Sequence, residues 1–160
     1  MITCYFENKN KAYLRHITVN AIVVKDNQIL LGKRGTYNGK PILEFWKWSL
    51  LGGFFGRDEN LVKAVKREVM EESGWEIEDV QLFRINDSPN RPHEDRQNMD
   101  MVFIAKAVKQ VNKSDEEVTH LKWFDLDKLP DKKLIAFDHG DDLEFYIKYL
   151  KEKFNLPLIE

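Results

Sequence analysis

Three glutamates at short helical spacing are the residues of this sequence best suited to chemistry. Glu68, Glu71 and Glu72 are three and four positions apart, which places them on one face of a helix. Carboxylates this close repel one another. Partly buried beside apolar side chains, they also cost considerable free energy unless they are protonated or paired with cations. The apolar arc next to them consists of Leu61, Val62, Val65 and Val69.

Hard oxygen ligands of this kind suit Mg²⁺ or Mn²⁺. The spacing therefore indicates a carboxylate site for divalent metal. The alternative interpretation is a solvated acidic helix face, because glutamate-rich helices are common. The small side chain of Ala64 leaves room beside the carboxylates and favours the metal site.

A helix over 59–73 is predicted to position these carboxylates. Asp58 stands where an N-cap is expected, and Gly74 follows the last periodic position, as is typical just past a helix end. Before the helix, the glycine-rich turn that begins at Gly52 lets the backbone approach a ligand closely.

The other predicted elements form a sheet with a second helix. Strands over 16–25 and 28–34, joined by a turn at Asp26-Asn27, predict a hairpin. An amphipathic helix is predicted over 141–154. Because strands and helices do not alternate strictly, the fold class is α/β with a mixed sheet between helices. Further strands are predicted over 46–50, 80–85, 101–108 and 118–124, and a helical turn over 125–129.

Composition limits the classes of protein to consider. The chain has 160 residues, of which 42% are apolar and 32% charged, an ordinary globular balance for about one domain. A net charge of −2 lacks the basic surplus of nucleic-acid binders. One cysteine, Cys4, excludes an internal disulfide and a cysteine-based zinc cluster. With no signal peptide or long apolar run, we expect a cytoplasmic protein without membrane or nucleic-acid partners.

The residues around the glutamates match a known motif at every position. The Nudix box has the pattern G-x5-E-x7-R-E-U-x-E-E-x-G-U, where U is a bulky apolar residue. It is matched from Gly53 through Glu59 and Arg67 to Trp75. The chain thus resembles the Nudix (MutT-like) hydrolase family. This resemblance implies one Nudix domain over 1–160 with an α/β/α sandwich, in which a mixed sheet lies between helices.

The resemblance also implies an activity and a set of site residues. The activity is Mg²⁺-dependent hydrolysis of a nucleoside diphosphate linked to another moiety, with Mn²⁺ as a second cofactor candidate. Glu59 and Arg67 would support the three glutamates in catalysis. In relatives a further acid often precedes a Trp-Phe pair, which points to Glu117, with its neighbour Glu116 as the alternative. The implied metal ligands are Gly52, Glu68, Glu71, Glu72 and Glu117.

Two polar loops are predicted to contact the substrate. Tyr37 lies in the loop over 35–43 and could stack on a base. The loop over 88–98 offers side chains for phosphate or ribose, and an ordinary polar loop is the alternative. The basic residues of this second loop are Arg91, His93 and Arg96.

A proline after the box favours ADP-ribose or a similar nucleotide sugar as the first candidate, because the family associates a proline in this region with such substrates. Pro89 and Pro92 bracket the expected position. A MutT-like (d)NTP pyrophosphohydrolase for damaged nucleotides is the second candidate. A non-catalytic Nudix-fold nucleotide sensor is the third, and the intact box argues against it. The expected partner is a small-molecule nucleotide, and a homodimer stays open.

Overall fold

The structure is a computed structural model and describes residues 2–91 and 98–159. Within these residues the chain forms two α-helices, one short 3₁₀ helix and twelve strands. The helices are α1 (Leu61–Ser73) and α2 (His139–Glu152), and the 3₁₀ helix is Lys132–Leu134. The strands are β1 (Ile2–Tyr5), β2 (Lys11–Leu14), β3 (His16–Lys25), β4 (Gln28–Arg34), β5 (Thr36–Tyr37), β6 (Lys40–Pro41), β7 (Trp48–Ser49), β8 (Leu51–Phe54), β9 (Trp75–Asn86), β10 (Asn98–Gln110), β11 (Val118–Asp125) and β12 (Leu158–Ile159).

The main sheet is mixed, as predicted. Its strand order is β11-β4-β3-β10-β9-β12, with β7 paired to β4 and β8 paired to β3. The β3–β10 and β9–β12 pairs are parallel and the other pairs are antiparallel. The parallel pairing of β3 and β10 brings two distant parts of the chain side by side at the middle of the sheet.

Two apolar cores cover the two faces of this sheet. Along β3, Val19 and Ala21 belong to the core beneath α1, whereas Ile22 belongs to the core beneath α2. The alternation follows from the two-residue period of a strand. Helix α1 buries Val65 and Val69, and α2 buries Leu143 and Tyr146. The predicted sandwich of a mixed sheet between helices is therefore confirmed.

Several local predictions are confirmed at their boundaries. The β3–β4 hairpin has the predicted limits, and Asp26 and Asn27 adopt the positive φ angles of 48° and 65° that its tight turn needs. Helix α1 ends as predicted, with Gly74 in the left-handed region at φ 69°.

Two predictions about α1 are wrong. The N-cap is Asn60, whose side chain accepts a hydrogen bond from the Lys63 N–H at 3.0 Å, and not Asp58. The helix therefore begins at Leu61. Val62, which was placed in the apolar arc, is 44% exposed, because the helix packs mainly through Ala64, Val65 and Val69.

The other differences arise where pairing or packing decided the structure. The β1–β2 and β5–β6 hairpins and strand β12 were not predicted, β9 begins five residues earlier than expected, and α2 spans 139–152 rather than 141–154. The segment 125–129 forms no helix, and the 3₁₀ helix follows it. The short strands form by pairing with a neighbouring strand rather than from a local pattern. None of the described helices is long and apolar enough to cross a membrane.

Candidate active site

Glu72 is the most deeply buried carboxylate on α1. Its side chain is 7% exposed, and its Oε2 accepts a hydrogen bond from the Gly52 N–H at 2.8 Å. This bond ties the last turn of α1 to the start of β8. Gly52 has to be glycine, since a Cβ there would lie 2.0 Å from the Val19 carbonyl oxygen. Burial raises the pKa of Glu72 well above its ordinary value, against the opposing effect of the Gly52 N–H.

Glu68 lies one turn earlier and also packs against β8. A Cβ on Gly53 would lie 2.7 Å from Glu68 Oε2, so the glycine makes room for this carboxylate. Burial raises the pKa of Glu68, and Arg67 opposes that shift. Two successive glycines thus allow two carboxylates to lie directly against the strand.

Arg67 donates hydrogen bonds to Glu59, Glu68 and Glu71. We call these four residues, together with the neighbouring Glu72, the glutamate cluster. The Nη1 of Arg67 donates to Glu68 Oε1 at 2.8 Å and to Glu71 Oε2 at 2.9 Å. Its Nη2 donates to Glu59 Oε1 at 2.7 Å and its Nε to Glu59 Oε2 at 3.1 Å. The hydrogen bonds that Arg67 donates to Glu59, and then to Glu68 and Glu71, raise its pKa against the opposing effect of burial, so it stays charged.

The cluster forms one end of a cavity of about 490 Å³. Glu68, Glu71 and Glu72 line this end together with Gly52 and Gly53. The cavity then continues across the sheet to side chains from β3, β4, β10 and α2 and from the segment before α2. These include Thr18, Asn20, Arg34, Asp100, Phe137 and His139.

The adjacent acids Glu116 and Glu117, just before β11, make different contacts. Glu117 lines the cavity, whereas Glu116 accepts hydrogen bonds from the Asn38 and Gly39 N–H groups and from the Thr36 hydroxyl. Glu116 therefore fastens the β5–β6 hairpin. Burial and then the neighbouring Asp115 raise the pKa of Glu117, as expected for an acid that faces other acids.

The donor set suits a hard divalent cation. Glu68 Oε2 and Glu72 Oε1 are not used in the hydrogen bonds to Arg67 and Gly52, and both carboxylates lie against the backbone of β8. Carboxylate and carbonyl oxygens are the ligands that Mg²⁺ and Mn²⁺ prefer. Among the described residues no three acidic, His or Cys side chains already converge at ligand spacing, so the glutamates would have to turn toward an ion.

The predicted substrate residues are only partly brought to this cavity. Tyr37 is 59% exposed at the tip of the β5–β6 hairpin. Arg91 lines the cavity, but its Nε and Nη2 donate to both oxygens of Asp138 at 2.6 and 2.8 Å. His93 and Arg96 lie outside the described residues, and their roles stay predictions.

Sequence reasoning missed the part of the cavity that β3, β10 and α2 form. Thr18 and Asn20 interrupt the apolar side chains of β3, and Asp100 does the same in β10. Polar residues inside a buried strand were the available signal. His139 was not among the predicted site residues. In the structure it is buried beside the cavity, and its Nδ1 accepts the Leu50 N–H at 3.1 Å.

Comparison with known proteins identifies the family. The NUDIX domain model matches residues 14–144. The chain is 31% identical over 142 residues to the ADP-ribose pyrophosphatase of Methanocaldococcus jannaschii, covering 88% of this chain and 79% of that protein. It is also 27% identical to the oxidized purine nucleoside triphosphate hydrolase of Danio rerio, over 82% of this chain and 78% of the relative.

A solved structure gives the same result for the fold. The crystal structure of a NUDIX hydrolase from Nitrosomonas europaea superimposes with a TM-score of 0.73 at 22% identity, covering 99% of this chain and 90% of that one. The chain therefore belongs to the NUDIX domain family. It is a Nudix hydrolase, of the class that acts on nucleoside diphosphates linked to another moiety.

Proposed function

We propose that the chain hydrolyses the pyrophosphate bond of ADP-ribose or a similar nucleotide sugar, with the glutamate cluster as its Mg²⁺ site. The observation that carries this proposal is the burial of the Glu72 carboxylate at the cavity wall. A carboxylate that is 7% exposed, fixed by the Gly52 N–H and placed at a cavity wall, is costly for the fold and useful to a bound cation.

The chain's own residues would position the reacting groups. Glu68, Glu71 and Glu72, with the Gly52 carbonyl and Glu117, would hold the cation, and one glutamate would take the proton of the attacking water. Arg67 keeps Glu68 and Glu71 on the cavity side of α1 through its two Nη1 bonds. A bound divalent cation supplies charge neutralisation on the diphosphate and a lower pKa for the attacking water.

The choice of ADP-ribose rests on the relative from Methanocaldococcus jannaschii and on the size of the cavity. That relative is named an ADP-ribose pyrophosphatase. A cavity of about 490 Å³ lies within the usual range for small-molecule sites. A (d)NTP pyrophosphohydrolase, as in the relative from Danio rerio, is the alternative that the assay must separate. The cytoplasmic location and a homodimer also remain proposals.

The test is hydrolysis of ADP-ribose in ¹⁸O-labelled water with Mg²⁺, with products identified by mass. We expect AMP and ribose 5-phosphate, one of them carrying ¹⁸O on its phosphate. Label on a sugar hydroxyl together with released ADP would instead mean cleavage at carbon. Parallel reactions with (d)NTPs should be much slower, and faster release of pyrophosphate from a triphosphate would favour the alternative. Binding without turnover of any nucleotide would identify a sensor.

A further inference from the structure

Three polar side chains lie in one row on the cavity wall formed by β3 and β10, beginning beside Gly52. Asp100 pairs with Thr18 in the parallel register of β10 and β3, and Asn20 lies two residues further along β3 on the same face. All three side chains line the cavity, and they are 1%, 8% and 7% exposed respectively. We call these three residues the acceptor floor.

The hydrogen bonds within the acceptor floor have a fixed direction. The Thr18 hydroxyl donates to Asp100 Oδ1 at 3.1 Å, and the Asn20 Nδ2 donates to the same oxygen at 2.8 Å. An ionised carboxylate only accepts hydrogen bonds, so both neighbours have to act as donors toward it. Asp100 Oδ2 has no hydrogen-bond partner within the described part of the chain. The buried charge is therefore supported by these two donors and by the nearby charge of Arg91.

This direction determines what the floor offers to a ligand. A hydroxyl has one proton and two acceptor lone pairs, so Thr18 presents lone pairs once its proton is committed. The Asn20 amide is oriented by its Nδ2 bond, and its Oδ1 lies beside Gly52, within 2.6 Å of where a Cβ would stand. The cation of this wall, Arg91, has two of its nitrogens bonded to Asp138. The floor is thus rich in acceptors above a buried negative charge.

The floor adjoins the proposed metal site. Gly52 in β8 lies opposite Asn20 in β3, and β3 pairs with β10, where Asp100 stands. Adjacent strands are about 5 Å apart, and Asp100 is offset from Gly52 by two residues along the strands, so the two residues are roughly 12 Å apart. A substrate whose diphosphate occupies the glutamate end would place its next group over the acceptor floor.

From this arrangement we infer that the acceptor floor binds a neutral, hydrogen-bond-donating part of the substrate and rejects a phosphate at that position. The inference rests on the proposed function, because it assigns the group that adjoins the hydrolysed diphosphate. Two groups of ADP-ribose carry such donors, the ribose hydroxyls and the adenine amino group. A third phosphate, which offers only acceptors and negative charge, is disfavoured there.

The test compares dissociation constants for ADP-ribose, ATP and inosine diphosphate ribose. Calorimetry at pH 8 with Mg²⁺ in a Glu72→Gln background keeps hydrolysis from interfering. Burial raises the pKa of Asp100 to about 6, so the carboxylate is ionised at this pH. Weaker binding of ATP than of ADP-ribose identifies the ribose hydroxyls as the bound group, and weaker binding of the inosine compound identifies the amino group.

Variants of the floor then decide whether it causes the preference. Thr18→Val should weaken binding of the preferred ligand by about 3- to 10-fold, the range for one hydrogen bond, and Thr18→Ser should restore it. Asp100→Asn removes the buried charge and adds an NH₂ donor to the floor, so the preference over ATP should fall at least about tenfold. Thr119→Val, which removes an exposed hydroxyl bonded to the Lys33 carbonyl, should change nothing.

The outcomes separate this inference from the proposed function. Equal affinity for all three compounds, or a preference unchanged in both Thr18→Val and Asp100→Asn, would overturn the acceptor floor even if the enzyme hydrolyses ADP-ribose. If the expected binding pattern is found but the unsubstituted enzyme hydrolyses none of the compounds, the proposed activity fails and the floor stands. Absence of binding by all three, both to the Glu72→Gln variant and to the unsubstituted protein, overturns both.

Discussion

Two regions of this protein use the same residue types in opposite ways. In the glutamate cluster, Arg67 is hydrogen-bonded to three carboxylates and is 37% exposed. Between α2 and the sheet, Arg91 is bonded to Asp138 and Arg84 to Asp142 at 2.6 Å. We call these two contacts the buried pairs, and all four side chains are less than a tenth exposed.

The difference separates function from stability. An excess of carboxylates at a cavity is electrostatically unfavourable until a cation arrives, so it is expected where a ligand binds. In each buried pair one arginine faces one carboxylate, and the two contacts hold the first turn of α2 in place. Burial nevertheless raises the pKa of Asp142 to about 8, so only Arg91 and Asp138 form a pair that is fully charged at neutral pH. Asp100 lies between the two cases, because its hydrogen-bond donors are the neutral Thr18 and Asn20, and it borders the same cavity.

The largest expected effect comes from breaking a buried pair. Asp138→Asn leaves the Arg91 charge buried without its carboxylate, and this should lower the free energy of unfolding by about 3–5 kcal/mol. Urea denaturation measures the change. Glu152→Gln, which removes an exposed acid 3.8 Å from Lys148 on the same helix, is the control and should have little effect. Equal stability of the two variants would contradict a structural role for the pair.

The next effect concerns catalysis at the glutamate cluster. Glu72→Gln keeps an oxygen for the Gly52 N–H but removes the charge, so kcat/KM should fall at least about 100-fold, or about 2.7 kcal/mol of transition-state stabilisation. The melting temperature should not fall, because burial disfavours the ionised form. Glu78→Gln, at an exposed ion pair with Lys106, is the control. Near-normal turnover of the Glu72 variant would remove the cluster from catalysis.

A smaller effect is expected from the cation itself. Mg²⁺ at about 100 times its dissociation constant would stabilise the native state by about 2.7 kcal/mol, or roughly 5–10 °C for a chain of this size. Scanning calorimetry with Mg²⁺ and with EDTA measures the shift. The Glu68→Gln/Glu72→Gln double variant should lose the response, and Glu78→Gln should keep it. Identical melting curves for the unsubstituted protein would show that the cluster holds no cation.

The smallest expected effect is that the His139 imidazole does not titrate near neutral pH. Burial lowers the pKa of His139 to about 3, helped by Arg34 and Arg91 and opposed by Asp138. The imidazole should therefore stay neutral, with its proton on Nε2, between pH 5 and 8. Side-chain NMR of the histidine nitrogens measures this, and His139→Gln assigns the signal. A midpoint near the ordinary value of about 6.5 would mean that His139 belongs to the open cavity rather than to the buried region.

The sequence by itself determined the family, the helix that carries the glutamates and the central hairpin. These features depend on contacts between residues close in the chain. Glu68, Glu71 and Glu72 share a face because of the helical period, and Asp26-Asn27 forms a turn because these residues tolerate positive φ. The choice between Glu116 and Glu117 was left open, because adjacent residues cannot be distinguished by spacing alone.

Only the tertiary structure decided what lies opposite the glutamates. Asp100 joins Thr18 and Asn20 because β10 pairs in parallel with β3, and this contact spans about half the chain without leaving a sequence period. Arg91 was predicted to contact the substrate. In the structure it lines the cavity and is also hydrogen-bonded to the buried Asp138, 47 residues further along the chain. Local patterns report which face of an element is apolar. Which polar groups meet across the sheet depends on the strand order, and that is set by the packing of the whole domain.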